Sequence, residues 1–492
     1  MQAYTTKMNE VRIKPLQLIL IISIIQFIVA FFTDPMIFTF DESIWQYIGR
    51  NWVRNGMVPY KGGVDNKSPL IFLIYGISDW FFGVNYWFPR LLGIVVESVG
   101  IYYLFKIAEK TINQQAGIFA ISLYGLSLLW RSTGGKYVSF TETYAITSII
   151  VSIYLSIVCQ KNGYAFIGGL FAALGMGFRI TAAFGILPIL IFTFKRSRNL
   201  GYSFLLGTLA GIGILILIAV LTGVKIDDFL FFGVIDNFGP GSATDHSLAW
   251  KVQRFADGFF YSELILFYPA VICYFILVRK IDFLKAWLIC EFAGIIILGM
   301  YDRSHFKNLL PSLSLMSTFV INYLIENFHT PPKKILLGIW IVFFPKTFEP
   351  LFVIRKIFIS KSNQIKPNGN KAAALDEENV KRKVGLWIRL NTLSNEKVYV
   401  AGYGAQIQLY SERVSPSIYF NVTQTLYAKK RLIQDLVFNL PDMIVVPLLE
   451  RYSNSVDLDI RLFINQLVEK NYRLDTCIYS YNIYRQNRKI SP

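Results

Sequence analysis

The sequence predicts a polytopic α-helical membrane protein with about eleven transmembrane helices, one further re-entrant or juxtamembrane helix, and a C-terminal soluble α/β domain. Three observations carry that expectation. Hydrophobic residues make up 54% of the 492 positions and charged residues only 16%, far from the soluble average. Apolar runs of spanning or near-spanning length recur through residue 353. Beyond about residue 354 charge returns and the apolar runs shorten to strand length.

The first run, Leu16 to Phe32, carries no charge, and no small-residue cleavage site follows it, so it is expected to stay in the membrane. Others follow near 90–107, 114–130, 141–160, 164–178, 180–194, 202–223, 262–278, 284–301, 309–326 and 335–353. The stretch "SPLIFLIYGISDWFFG" at 68–83 is shorter than the ~20 residues a span needs and is interrupted by Asp79. Lysine and arginine bias decides its path. If it does not cross, Lys7, Arg12 and Lys14, Lys106 and Lys110, Lys195, Arg196 and Arg198, Arg279 and Lys280, and Lys333 and Lys334 all face the cytoplasm. A transmembrane domain over 1–353 then shows 34–89, 131–142, 224–261 and 301–308 to the outside of the plasma or inner membrane, its N-terminus staying cytoplasmic.

In the extracytoplasmic tail, "KVYVAG" at 397–402, "DMIVVP" at 442–447 and a final "CIYSYNIYRQ" read as strands. "TQTLYAKKRLIQDLVFN" and "VDLDIRLFINQLVEK" have helical spacing. This domain is expected over 385–492, behind a polar linker at 354–384. A net charge of +17 could suggest nucleic acid, but the basic residues are scattered through loops and tail, which favours anionic lipid and no nucleic acid. The four cysteines form no C-x-x-C pair, so neither a zinc site nor a disulfide framework is indicated.

Chemistry concentrates in the outer loops. In "FDESIWQYIGRNWVRNG" Ile44, Tyr47, Ile48 and Trp52 recur at helical spacing, which makes an amphipathic helix with Asp41 and Glu42 at its start. There the helix dipole favours negative charge, so N-capping is the plain reading of the pair. Next comes "GMVPYKGGVDNKSPL", with Asp65 and Lys67 before an apolar segment. An interfacial lysine either snorkels or binds an anion, and a lipid phosphate with Arg50 or Arg54 beside it fits the second case. Glu142 stands where the chain re-enters the membrane, and Arg179 at the apex of a tight helical hairpin; charges at that depth are costly without a partner or a task. "YDRSHFKNLLP" crowds Asp302, Arg303, His305 and Lys307 into one short loop.

These stretches carry a resemblance. An acidic pair (Asp41-Glu42), a short helix, Gly-x-x-Pro-Tyr (Gly56 to Tyr60) and Asp-x-Lys-x-Pro (Asp65 to Pro69) resemble the first external loop of bacterial C-type (GT-C) glycosyltransferases. The relatives in question are the dolichyl-phosphate-mannose protein mannosyltransferases and the lipid A aminoarabinose transferase. "FTET" at 140–143, "RSHFKNLLP" and "VYVAGYGAQIQLYSERVSPS" are similar to later parts of the same pattern. The resemblance implies a GT-C fold that takes a sugar from a polyprenyl phosphate and gives it to an acceptor hydroxyl on a lipid, glycan or protein. It carries Asp41 over as general base, with Glu142 orienting or sharing it and Glu42 orienting Arg50 or another cation. Lys67, Arg303, His305 and Arg179 are expected to hold the donor phosphate, and Tyr60 and Asp65 to contact substrate. Some relatives bind a divalent metal nearby; His305 and His246 are the histidines in reach, so no metal ligand set is assigned and a divalent metal stays open. No Walker loop or nucleotide-binding glycine fingerprint occurs, in keeping with a lipid-linked donor. Two rival readings remain: a polysaccharide polymerase or ligase of another membrane fold, and a transporter, for which Glu97 and Glu291 inside apolar runs would serve as relay carboxylates.

Overall fold

The computed structural model describes residues 14–33, 39–130, 135–238, 245–299, 301–328, 331–344, 370–421, 425–448 and 457–487. The chain divides into two compact units. One gathers Met1–Asp34, Arg90–Ile214 and Ala249–Ile359; the other gathers Pro35–Pro89, Leu215–Leu248 and Ser360–Pro492.

The first unit is helical among its described residues, and each apolar run expected to span is mainly helical where it is described. Across the described chain, five helices are long and apolar enough to cross a bilayer: Pro15–Phe32, Trp87–Thr111, Thr141–Val158, Arg198–Leu221 and Arg303–Phe328. Leu248–Phe259 with Glu263–Leu277 makes a sixth if that pair, bent by 52°, is one span. The protein is therefore a multi-pass membrane protein. The remaining runs fall short of the eleven expected by length. Gln114–Ser127 has 14 residues, Ala182–Arg196 15, Phe283–Leu298 16 and Asn162–Phe178 17, which at 1.5 Å per residue is about 21–26 Å against a ~30 Å hydrocarbon core. Asn113 starts the first of these by accepting the Ala116 amide at 2.8 Å. The last expected run is helical over 332–344, and 345–353 lies outside the described residues.

Helices in this unit meet through small residues, because lipid tails offer no hydrophobic drive between them. At Gly207 an added Cβ would lie 2.0 Å from the Phe166 carbonyl oxygen, so the Asn162–Phe178 and Arg198–Leu221 helices touch backbone to backbone. Outward-facing Leu206, Leu209, Leu217 and Leu221 are exposed, as a lipid-facing surface requires.

In the second unit Thr39 accepts the Glu42 amide at 3.1 Å while the Glu42 carboxylate accepts the Thr39 amide at 2.8 Å, a capping box that starts the Phe40–Asn55 helix. Gly56, at φ +66°, ends it. This helix packs on Pro69–Phe82, the expected re-entrant segment, where Gly49 leaves no room: a Cβ would sit 2.3 Å from the Phe72 carbonyl oxygen. Asp79, fully buried, ties the two helices by accepting from Arg54 Nε at 2.6 Å and Gln46 Nε2 at 3.1 Å. The segment is 14 residues long, about 21 Å of helix.

Four strands follow: β1 (Val398–Val400), β2 (Met443–Pro447), β3 (Tyr472–Ile478) and β4 (Tyr481–Gln486), in the order β1-β2-β4-β3. β1 and β2 pair in parallel; β4 runs antiparallel to β2 and β3. The final expected strand is thus a hairpin, turning at Tyr479, which takes φ +52°. The helices Leu426–Phe438 and Leu458–Asn471 stand where helical spacing placed them.

One boundary and one set of partners differ from expectation. Residues 370–384, expected as linker, belong to the helix Asn370–Asn391, and Val384 and Ile388 on it are buried with Val398, Val400, Val445 and Ile483. Its Ala-, Glu-, Lys- and Leu-rich sequence has high helix propensity, and polar composition alone concealed that. Residues 354–369 lie outside the described residues. The second difference is one of partners. The first outer loop packs with the C-terminal residues: Ser415 donates its amide to the Tyr47 hydroxyl at 2.8 Å, Val64 donates to the Ile418 carbonyl at 3.1 Å, and the Tyr47 and Phe420 rings lie 4.1 Å apart.

Candidate active site

Each unit holds part of the expected constellation. In the second, Asp41 lies half-buried in the first turn of Phe40–Asn55, where the helix dipole favours its carboxylate. Capping falls to Thr39 and Glu42. Glu42 is fully buried in that role, and it is Glu412 at 2.6 Å and Asp79 at 3.7 Å that hold Arg50. At N3 of the helix the Glu42 carboxylate folds back on the Thr39 amide.

Tyr60 is enclosed. It is 1% exposed, adopts φ +68°, stacks on Phe232 at 5.8 Å and donates its hydroxyl to the Lys67 carbonyl at 2.6 Å. Burial, with the Asp65 charge adding to it, pushes the phenol well above its ordinary pKa. A side chain so enclosed braces the 60–67 loop. Asp65 is engaged as well, accepting from Trp45 Nε1 at 2.7 Å and from the Asn66 amide at 2.8 Å. Lys67, half-buried, donates to Asn66 Oδ1 at 2.6 Å. The loop's internal bonds therefore fix where Lys67 leaves the backbone.

In the first unit three expected residues come together. Glu142 sits in the first turn of Thr141–Ile153 and is ion-paired with Arg179 Nη1. Thr141 donates its hydroxyl to the second Glu142 oxygen at 3.0 Å, and His305 Nε2 stands 3.9 Å from the first. Arg179 is extended at φ −153° where the Asn162–Phe178 helix stops, and its Nε donates to Thr181 Oγ1 at 2.8 Å. Arg303 shares the 3-10 helix Arg303–Leu309 with His305 and is exposed. The arrangement brings a carboxylate-held guanidinium and an imidazole to one place, suited to an anionic oxygen.

One pair escaped sequence reasoning. Lys307, on the same turn as His305, is ion-paired with Glu97 of the Trp87–Thr111 helix, both 1% exposed. A carboxylate inside an apolar run signals a partner somewhere. Nothing in the sequence says which, since 210 positions separate the two. Among the described residues no three His, Cys, Asp or Glu side chains converge as a ligand set, so a resident divalent metal is not assigned.

The Alg9-like mannosyltransferase family model matches residues 9–238, the stretch that holds Asp41, Lys67, Glu142 and Arg179. The fold is similar to that of ArnT from Cupriavidus metallidurans bound to undecaprenyl phosphate, with a TM-score of 0.63 over 95% of this chain and 97% of that one at 12% identity. The fold is that of a GT-C glycosyltransferase. Its fold is likewise similar to apo ArnT from the same organism, at a TM-score of 0.61 and 13% identity over 95% of this chain and 97% of that one. It is also similar to the archaeal oligosaccharyltransferase AglB from Archaeoglobus fulgidus, in complex with an inhibitory peptide and a dolichol phosphate. That likeness has a TM-score of 0.52 at 12% identity and covers 97% of this chain and 75% of the other. No curated protein sequence matches this chain significantly.

Proposed function

We propose that this protein is a glycosyltransferase that moves a sugar from a polyprenyl phosphate to an acceptor hydroxyl on the extracytoplasmic face of the membrane. The observation that carries the reading is the Glu142–Arg179–His305 cluster, an anion-binding arrangement at the start of an apolar helix. Two GT-C structures of the same fold hold lipid phosphates, undecaprenyl phosphate in ArnT and dolichol phosphate in AglB.

In the proposed reaction the acceptor oxygen attacks the anomeric carbon as the bond from that carbon to the donor phosphate oxygen breaks. The hydroxyl proton passes to Asp41, and the polyprenyl phosphate leaves with the bonding electrons. Lys67, Arg179, Arg303 and His305 stabilise the charge gathering on the phosphate. Glu142 holds Arg179 and His305 in place, and Asp65 holds the Lys67 loop through Trp45. The lysine and arginine bias supports about eleven crossings with the N-terminus inside, 68–83 not crossing, and the residues after 385 outside.

Purified protein given polyprenyl-phosphate sugars and candidate acceptors tests the reading. One polyprenyl phosphate released per sugar transferred is the expected result. An unconsumed donor, with sugar flux across proteoliposomes instead, contradicts it and supports a transporter.

A further inference from the structure

We infer that Glu97 and Lys307, buried within the first unit, are a positioning pair for the phosphate-binding cluster; the inference rests on the donor-phosphate reading of Glu142, Arg179 and His305. Glu97 lies on the Trp87–Thr111 helix, and its carboxylate is enclosed. One oxygen receives Lys307 Nζ and, at 2.9 Å, the Thr143 hydroxyl; the other receives Gln26 Nε2. Lys307 Nζ also donates to Thr143 Oγ1 at 2.7 Å. Four elements are thereby tied at one point: the Pro15–Ile28 and Trp87–Thr111 helices, the start of Thr141–Ile153 and the Arg303–Leu309 turn.

Two of those elements carry the cluster. Thr143 is the neighbour of Glu142, and Lys307 stands two residues beyond His305 and four beyond Arg303. The turn is fastened on its other side too, because Asn308 donates to Glu291 at 3.2 Å and Trp287 to the second Glu291 oxygen at the same distance. The two intramembrane carboxylates that would suit a proton relay therefore hold the turn that bears His305 and Arg303. An apolar pair of similar volume would pack this point at least as stably. What the charged pair adds is direction, since Lys307 can satisfy Glu97 and Thr143 together only in one register of the turn over the start of the Thr141–Ile153 helix.

Glu97→Gln, Lys307→Met and the double variant, purified from membranes, test this by donor and acceptor kinetics beside thermal stability, with Glu142→Gln as the control for the cluster itself. Each single variant is expected to lower kcat/KM for the donor about ten- to a hundredfold, as a misplacement of about 1 Å does, while the acceptor KM stays within about twofold. Either single change leaves one buried charge unpaired and can prevent folding, so the double variant decides. The inference expects it to regain stability while donor kcat/KM stays low. A double variant with parental donor kcat/KM overturns the positioning role, provided Glu142→Gln is impaired. If Glu142→Gln is unimpaired as well, the donor-phosphate reading has failed first.

Discussion

Arg50, from the helix that begins with Asp41, meets Glu412 of the C-terminal residues at 2.6 Å. Glu412 also takes Arg389 at 2.7 Å and holds φ +54°, a left-handed conformation that costs a non-glycine residue energy. Strain there persists because two guanidinium groups share the carboxylate.

Glu412→Gln is accordingly expected to lower stability by about 1–3 kcal/mol, the range for a hydrogen bond to a charged group, read as a shift in thermal unfolding. Deletion of 385–492 goes further, removing the Ser415–Tyr47, Ile418–Val64 and Glu412–Arg50 contacts together. Donor use and acceptor use should then fall in parallel. Loss of acceptor use alone, with donor binding intact, would show the C-terminal residues to be an acceptor module and not a brace for the first loop.

Tyr60→Phe removes the hydroxyl bond to the Lys67 carbonyl and nothing else of note. The expected cost is about 0.5–1.5 kcal/mol of stability, with donor and acceptor KM near parental values. A tenfold rise in either KM would return Tyr60 to the substrate.

Lys67→Ala is expected to weaken donor use about ten- to a hundredfold, the equivalent of about 1.5–3 kcal/mol for a charge-assisted phosphate bond. Steady-state kinetics over a donor concentration series reads it, and an unaltered donor dependence removes Lys67 from the site.

Arg179→Lys keeps the charge but replaces the planar fork, whose Nη1 serves Glu142 while Nε serves Thr181, with a single point charge. Donor kcat/KM should fall at least about tenfold. Parental kinetics in this variant would show that a point charge suffices and that the fork geometry is incidental.

Apolar runs made the helices legible from sequence, because burial in lipid needs continuous hydrophobicity whatever the neighbours are. "VYV" and "MIVVP" were equally plain as buried strands. The hairpin at Tyr479 was not, since no Gly, Asn or Pro marks the turn between β3 and β4. The Asn370–Asn391 helix was hidden by its polar composition, and its burial depends on a sheet formed by residues further along. In the site, Glu142 and Arg179 announced themselves as charges at membrane depth, each needing a partner. The capping role of Glu42 was readable in Thr39-x-x-Glu42 and was outweighed by the acidic pair. Glu97 and Lys307 were each visible as charges, but a pairing across 210 residues belongs to the fold alone.

The account turns on Asp41 as the base, and Asp41→Asn at matched expression tests it most directly, by following sugar transfer from a polyprenyl phosphate beside donor binding. Thr39 and Glu42 carry the cap, so Asn at position 41 gives up only the charge–dipole interaction, about 0.3–1 kcal/mol. General-base removal should lower transfer about 10²- to 10⁴-fold with donor binding retained. Near-parental transfer would contradict the account and reduce the acidic pair to a helix start.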